Sequence, residues 1–147
     1  MINLMKATSL AALILLFSGC NNVFDNLNTP TKPKINESIE TVDFNSIKSI
    51  PDIVSIGFEW QKVNDPKVVG YNFYRTDLRK DGKTLELVKS IENRYATHYV
   101  DKDLEPNTKY AYQISSRTSE GTESRTTDAY MVQTLPRIVP IDFVQAI

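Results

Sequence analysis

The chain predicts an all-β sandwich, and three features of its sequence carry that prediction. Large apolar and aromatic residues recur at every second position in short stretches, turn residues separate those stretches, and no window holds a helical period. The aromatic usage agrees: seven Tyr, six Phe and one Trp against three Met suit a pleated surface better than a helical bundle.

Residues 1–19 read as a signal peptide rather than as part of the sandwich. Lys6 and the amino terminus are positive, and Leu10 to Phe17 form an apolar run that ends in Ser18-Gly19-Cys20. That run is shorter than the roughly 20 residues that cross a bilayer. It resembles the lipobox of bacterial lipoproteins, with Phe17 where the box usually carries Leu. The resemblance implies cleavage before Cys20, the only cysteine of the 147 residues, and acyl chains such as palmitate on the new first residue. Asn21 in the next position implies, by the same resemblance, an outer-membrane address in a bacterial envelope. A lone cysteine also leaves no pair for a disulfide framework.

Residues 20–37 read as a flexible, lipid-anchored tether. Asn21 to Glu37 is dominated by Asn, Thr, Pro and Lys, with Pro30 and Pro33 stiffening it locally. Fully extended, such a segment reaches about 50 Å; as a coil it averages about 20–25 Å.

The sandwich is expected over residues 38–136. Val54, Ile56, Phe58 and Trp60 alternate with Ser55, Gly57 and Glu59, which places four large side chains on one face. Val69 to Arg75 is a second strand with Tyr71 and Phe73 inward. Asp81-Gly82 turns the chain into Leu85 to Lys89. Tyr110, Tyr112 and Ile114 share one face, with Ala111, Gln113 and Ser115 on the other, and Glu120-Gly121 turns into a last strand over Ala129 to Thr134. About a dozen buried large side chains at about 1.5–3 kcal/mol each suffice for a core without a disulfide.

The segment from Tyr99 to Tyr112 (YVDKDLEPNTKYAY) resembles the corner between strands E and F of fibronectin type III domains, with Leu104, Pro106, Thr108 and Tyr110 at the family's alternate spacing. Trp60 is similar to the tryptophan that ends strand B there. Val69-Gly70-Tyr71 is similar to the start of strand C, and Thr134-Leu135-Pro136 to the closing residues. The resemblance implies a seven-stranded, immunoglobulin-like sandwich in which Leu104 and Pro106 close the corner. Tyr110 then fills the core and turns its hydroxyl to the corner backbone.

Residues 137–147 form a tail. Ile141-Asp142-Phe143 echoes Val42-Asp43-Phe44, and Thr41 to Ile47 is expected to be strand A. On this reading the tail begins a second repeat; an unrelated extension is the alternative.

No residue pattern points to catalysis. His98 is the only histidine, Cys20 is committed to lipid, and no glycine-rich phosphate loop is present. No cofactor and no metal site is expected, since Asp101, Asp103 and Glu105 fit a turn better than a ligand set. A net charge of −1 without a Lys/Arg run argues against nucleic acid. The chain is expected to be a monomeric interaction protein, not an enzyme. Its basic turn residues Arg79, Lys80 and Lys83 are the candidate binding residues. The fibronectin-like lipoproteins of Campylobacter and related bacteria, which the chain resembles, are adhesins, and this implies a protein partner such as host matrix fibronectin. Two alternatives stay open: a structural spacer of the envelope, and a carbohydrate-binding accessory module with Tyr74, Tyr95 or Tyr130 as its platform.

Overall fold

A strand with period-two apolar residues has one face to bury, so short strands of this kind come to rest as two layers. The computed structural model describes residues 32–80 and 82–139. Among them, the strands are β1 (Lys34–Ile35), β2 (Lys48–Pro51), β3 (Ile56–Glu59), β4 (Val68–Asp77), β5 (Glu86–Ile91), β6 (His98–Asp101), β7 (Lys109–Thr118), β8 (Thr122–Glu123) and β9 (Tyr130–Gln133). One sheet runs β2-β3-β6; the other runs β1-β8-β7-β4-β5, with β9 also on β7. β8 pairs near the end of β7 and β9 pairs at its start, so they are two halves of one last strand. With these joined and β1 set aside, seven strands stand three against four, as expected.

The core lies between the sheets. Ile56, Phe58 and Trp60 come from β3 and its end, Tyr71 and Phe73 from β4, and Tyr110, Tyr112 and Ile114 from β7. The rings meet tilted or edge-on rather than stacked face to face: Phe58–Tyr112 centroids lie 4.6 Å apart and Trp60–Phe73 5.0 Å apart. This is the geometry that ring quadrupoles favour. Tyr71 also ties two connections together, accepting from Val63 N–H and donating to the Arg94 carbonyl, each at 3.0 Å.

The corner before β7 closes as the resemblance implies. Leu104 is buried, and the Glu105 N–H donates to the Tyr110 hydroxyl at 3.0 Å. Asp103 and Asn107 take positive φ angles of 58° and 50°, and both are residue types that tolerate the left-handed region. Thr108 N–H donates to Thr134 Oγ1 at 2.9 Å, which fastens the last strand to the corner.

Three expectations need correction. Thr41 to Ile47 is not strand A: Asp43 accepts from Asn45 N–H at 3.0 Å and caps a 3₁₀ turn over Phe44–Ser46, and the first strand of the three-stranded sheet follows at β2. Val54 does not join the inward face of β3; it is exposed in the turn that Asp52 N–H and Ser55 C=O close at 2.8 Å. The tether is shorter than 20–37 at its distal end. Lys34 and Ile35 pair in parallel with Thr122 and Glu123, and Asn36 N–H donates to Glu123 C=O at 2.8 Å. The signal peptide, Cys20 and the tether up to residue 31, together with Asp81 and residues 140–147 of the tail, lie outside the described residues.

Gly70 is required by a close approach. A Cβ there would stand 2.0 Å from the Ile91 carbonyl oxygen, so any side chain would push β5 off β4. Gly70→Ala is therefore expected to destabilise the domain by about 3 kcal/mol. Tyr110→Phe, which leaves the Glu105 N–H without its acceptor, should cost about 1–2 kcal/mol. Urea denaturation of the two variants checks both values.

Candidate functional site

The basic turn between β4 and β5 does not offer free cations. Arg79 grips Asp77 with Nη2 at 3.0 Å from Oδ2, and Lys80 Nζ stands 3.8 Å from Glu86 Oε1. Both side chains are largely exposed, but each already faces a carboxylate. Lys83 is exposed beside them. Sequence order alone hid this, because Asp77 and Glu86 belong to the flanking strands.

Two buried carboxylates organise the polar interior, and neither was singled out as such by the sequence. Asp101, at the end of β6, accepts from Arg75 Nη1 at 2.8 Å and from the hydroxyls of Tyr112 at 2.7 Å and Tyr99 at 3.3 Å. Arg75 and Tyr112 belong to the other sheet, so this charge pins the two layers together. Glu123, on β8, accepts from Asn72 Nδ2 at 2.7 Å, from the Tyr74 hydroxyl at 2.7 and 2.9 Å, and from the Ser115 hydroxyl. Ala111 and Ser115, on the other face of β7 from Tyr110, Tyr112 and Ile114, are buried as well. With its oxygens occupied and 6% of its surface exposed, Glu123 is a structural hub rather than a base awaiting substrate.

The open surface with the most distinctive character is the outer face of β2-β3-β6. Ile50, Gly57 and Val100 lie opposite one another across the three strands, and Lys48, Glu59 and His98 form the next row. Ile50 is 78% exposed and Val100 46% exposed. Gly57 leaves bare backbone between them, and the result is a groove of about 300 Å³ with two aliphatic walls. This places His98 on a surface row. The signal was present in the alternation of β3, where Gly57 stands on the outward face opposite Phe58.

The other candidates do not converge. Tyr74 is buried on Glu123, Tyr130 packs against Phe44 and Phe58, and Tyr95 alone of the three is well exposed, so no tyrosine platform forms. Among the described residues no group of three His, Cys, Asp or Glu is placed to hold a metal ion, and no helix is long and apolar enough to cross a membrane.

No family model matches the chain, and no curated protein does. Solved structures do. The fn3 domain of human contactin 1 superposes with a TM-score of 0.60 at 14% identity, covering 84% of this chain and 96% of that one. The fn3 domain of the human collagen alpha-1(XX) chain gives 0.56 at 16% identity, covering 78% and 98%. The fold is that of a fibronectin type III domain. Identities this low speak for the fold alone. The same fold is found inside longer chains: the match spans 32% of the FN1–FN3 segment of chicken CNTN1, with a TM-score of 0.55, 14% identity and 70% of this chain covered. It spans 14% of a beta-1,2-glucanase from Parabacteroides distasonis, with a TM-score of 0.55, 18% identity and 74% of this chain covered.

The phenols around Asp101 and Glu123 give a pH signature. Burial, with the Asp101 charge and hydrogen bond added, pushes Tyr99 up to about 12. Burial and a carboxylate hydrogen bond push Tyr74 and Tyr112 higher still. An unfolded tyrosine titrates near pH 10. The native state thus holds these protons more tightly, and the stability they contribute is intact below about pH 10 and is lost as pH rises through about 12. Urea midpoints measured at intervals across this range should fall with rising pH. Tyr99→Phe should flatten the fall, and phenolate absorbance should show fewer tyrosines ionised in the folded than in the unfolded protein.

Proposed function

We propose that the chain is a lipid-anchored interaction protein of a bacterial envelope, held to the membrane through Cys20 and offering its fibronectin type III module to a protein partner. The observation that carries the reading is the exposed apolar row Ile50–Gly57–Val100 on an otherwise polar sheet face. Isolated exposed apolar residues are ordinary, but a contiguous row with a backbone floor suits an inserted apolar side chain. Lys48 and Glu59 in the neighbouring row supply charges of both signs for orientation. On this reading the occupant is a protein segment presenting a bulky apolar residue, with host matrix fibronectin the first partner to try. Arg79, Lys80 and Lys83 become a secondary contact, since Arg79 and Lys80 would have to leave Asp77 and Glu86 to engage an acidic partner.

A second reading, an envelope spacer, is favoured by a different observation. The chain enters the domain beside the turn between β7 and β8, where Lys34 pairs with Thr122. It leaves at the opposite pole, where Leu135 N–H donates to Asp52 C=O at 3.0 Å. Such a module extends a chain in line.

Three variants separate the readings. Cys20→Ala should release the protein from membranes in fractionation; retention there would overturn the lipid anchor. Gly57→Val fills the groove floor, and because the nearest atom to a new Cβ is the Ile50 carbonyl oxygen at 3.8 Å, it should fold normally. In pull-downs on immobilised matrix fibronectin or envelope extracts, Gly57→Val should lower capture about tenfold or more, the equivalent of one lost apolar anchor. Capture lost only in Arg79→Glu/Lys80→Glu would move the site to the basic turn. A wild-type protein that captures nothing would favour the spacer.

A further inference from the structure

We infer that Asn36 is an acceptor for an N-linked glycan, and that the turn over residues 36–39 presents its carboxamide nitrogen to an oligosaccharyltransferase. This role rests on the export that the lipid-anchored reading entails, and not on the apolar groove.

Asn36-Glu37-Ser38 is the only place in the chain where Asn is followed by a residue other than Pro and then by Ser or Thr. The triplet comes just after β1, and all three residues are exposed. Ile39 N–H donates to the Asn36 carbonyl at 3.1 Å, which closes a surface turn. Within it, Asn36 Oδ1 accepts from Ser38 N–H at 3.0 Å and from the Ser38 hydroxyl at 2.8 Å. A backbone N–H can only donate, so the atom it meets is the amide oxygen, and the orientation of the carboxamide is fixed. Nδ2, the atom that takes the sugar, is left without a hydrogen bond among the described residues. The backbone beneath it is held: Asn36 N–H donates to Glu123 C=O at 2.8 Å, and Ile39 is buried. The turn thus offers a free nitrogen on a firm support.

An amide nitrogen is a weak nucleophile, because its lone pair is delocalised into the carbonyl. Activation therefore falls to the transferase, and presentation falls to this chain. In the transfer, Nδ2 bonds to C1 of the first sugar while the bond from C1 to the oxygen of a polyprenyl diphosphate breaks. The diphosphate leaves with the electron pair, and one Nδ2 proton passes to a base of the transferase. Beside the acceptor there is room for that sugar. Asn36 and Ile39 wall a depression of about 260 Å³ together with Lys67, Thr118, Glu120 and Thr122. It is smaller than a drug-sized site of about 300–1,000 Å³ and suits a single ring. Ile39 gives it an apolar wall, and the exposed Lys67 and Glu120 can hydrogen-bond sugar hydroxyls.

Two measurements test this. In the first, the unacylated full chain is incubated with a purified oligosaccharyltransferase of Asn-X-Ser/Thr specificity and a polyprenyl-diphosphate oligosaccharide, with a synthetic peptide of residues 33–39 as the positive control. Mass spectrometry of the folded protein should show one glycan, on Asn36. Asn36→Gln should abolish it, and Ser38→Ala, which keeps the acceptor, should lower its transfer about tenfold or more, while Ser38→Thr should retain it. Urea midpoints of the three variants control for folding. A glycosylated peptide beside a bare folded protein would overturn the inference, as would a glycan that survives Asn36→Gln. The second measurement maps peptides of the chain from the membranes of cells that make it, reading Cys20 and Asn36 together. Acylated Cys20 with glycosylated Asn36 supports both the anchor and the acceptor. Acylated Cys20 with bare Asn36 overturns the acceptor and leaves the anchor standing. A chain that keeps residues 1–19 overturns export, and the acceptor with it.

Discussion

A carboxylate cut off from water must find its hydrogen bonds inside the protein, and Asp101 finds them on both sheets at once. Its own strand supplies Tyr99, and the facing sheet supplies Arg75 and Tyr112. The aromatic core can tolerate small slips, because dispersion and area burial are not directional. An ion pair with two phenol donors cannot, because a lost partner leaves a buried charge uncompensated. The register of β4 and β7 against β6 is therefore set by a few polar atoms within an apolar layer. Pairing within the three-stranded sheet sets Ile50, Gly57 and Val100 in one row on its outer face, while on its inner face Phe58 meets Phe73 and Tyr112 of the other sheet.

Glu123 does the equivalent for the edge of the four-stranded sheet. A short strand such as β8 has little ladder of its own, pairing with β7 only through Arg117–Glu123. The side chain substitutes for the missing ladder by reaching across β7 to β4. The last strand can then break between β8 and β9 without the sheet opening, and its first half is left free to accept β1. An edge that would otherwise expose unpaired backbone is partly covered by the chain's own entering segment.

The strand pattern was legible in the sequence where one face was buried and the other was not. Ile56, Phe58 and Trp60 identified β3, and the alternation of Tyr110, Tyr112 and Ile114 identified β7. The corner was legible because Leu104, Pro106, Thr108 and Tyr110 each have a separate steric or hydrogen-bonding task at fixed spacing. Strand A was misplaced because Val42 and Ile47 are buried, like strand residues, while Asp43 bends the backbone between them. Asp101 and Glu123 could not be read as hubs, because their donors lie far along the chain. The apolar row was hidden for a similar reason: Ile50 and Val100 become neighbours only when Gly57 stands between them.

The opposite placement of entry and exit gives the domain a fixed contribution to length. β7 has ten residues, which at about 3.3 Å each makes the body about 33 Å long. A fold whose ends met on one side would hang from its chain like a bead and add nothing to reach. Here the described chain enters beside the β7–β8 turn and leaves beside the start of β7, so its entry and exit are set about one β7 length apart.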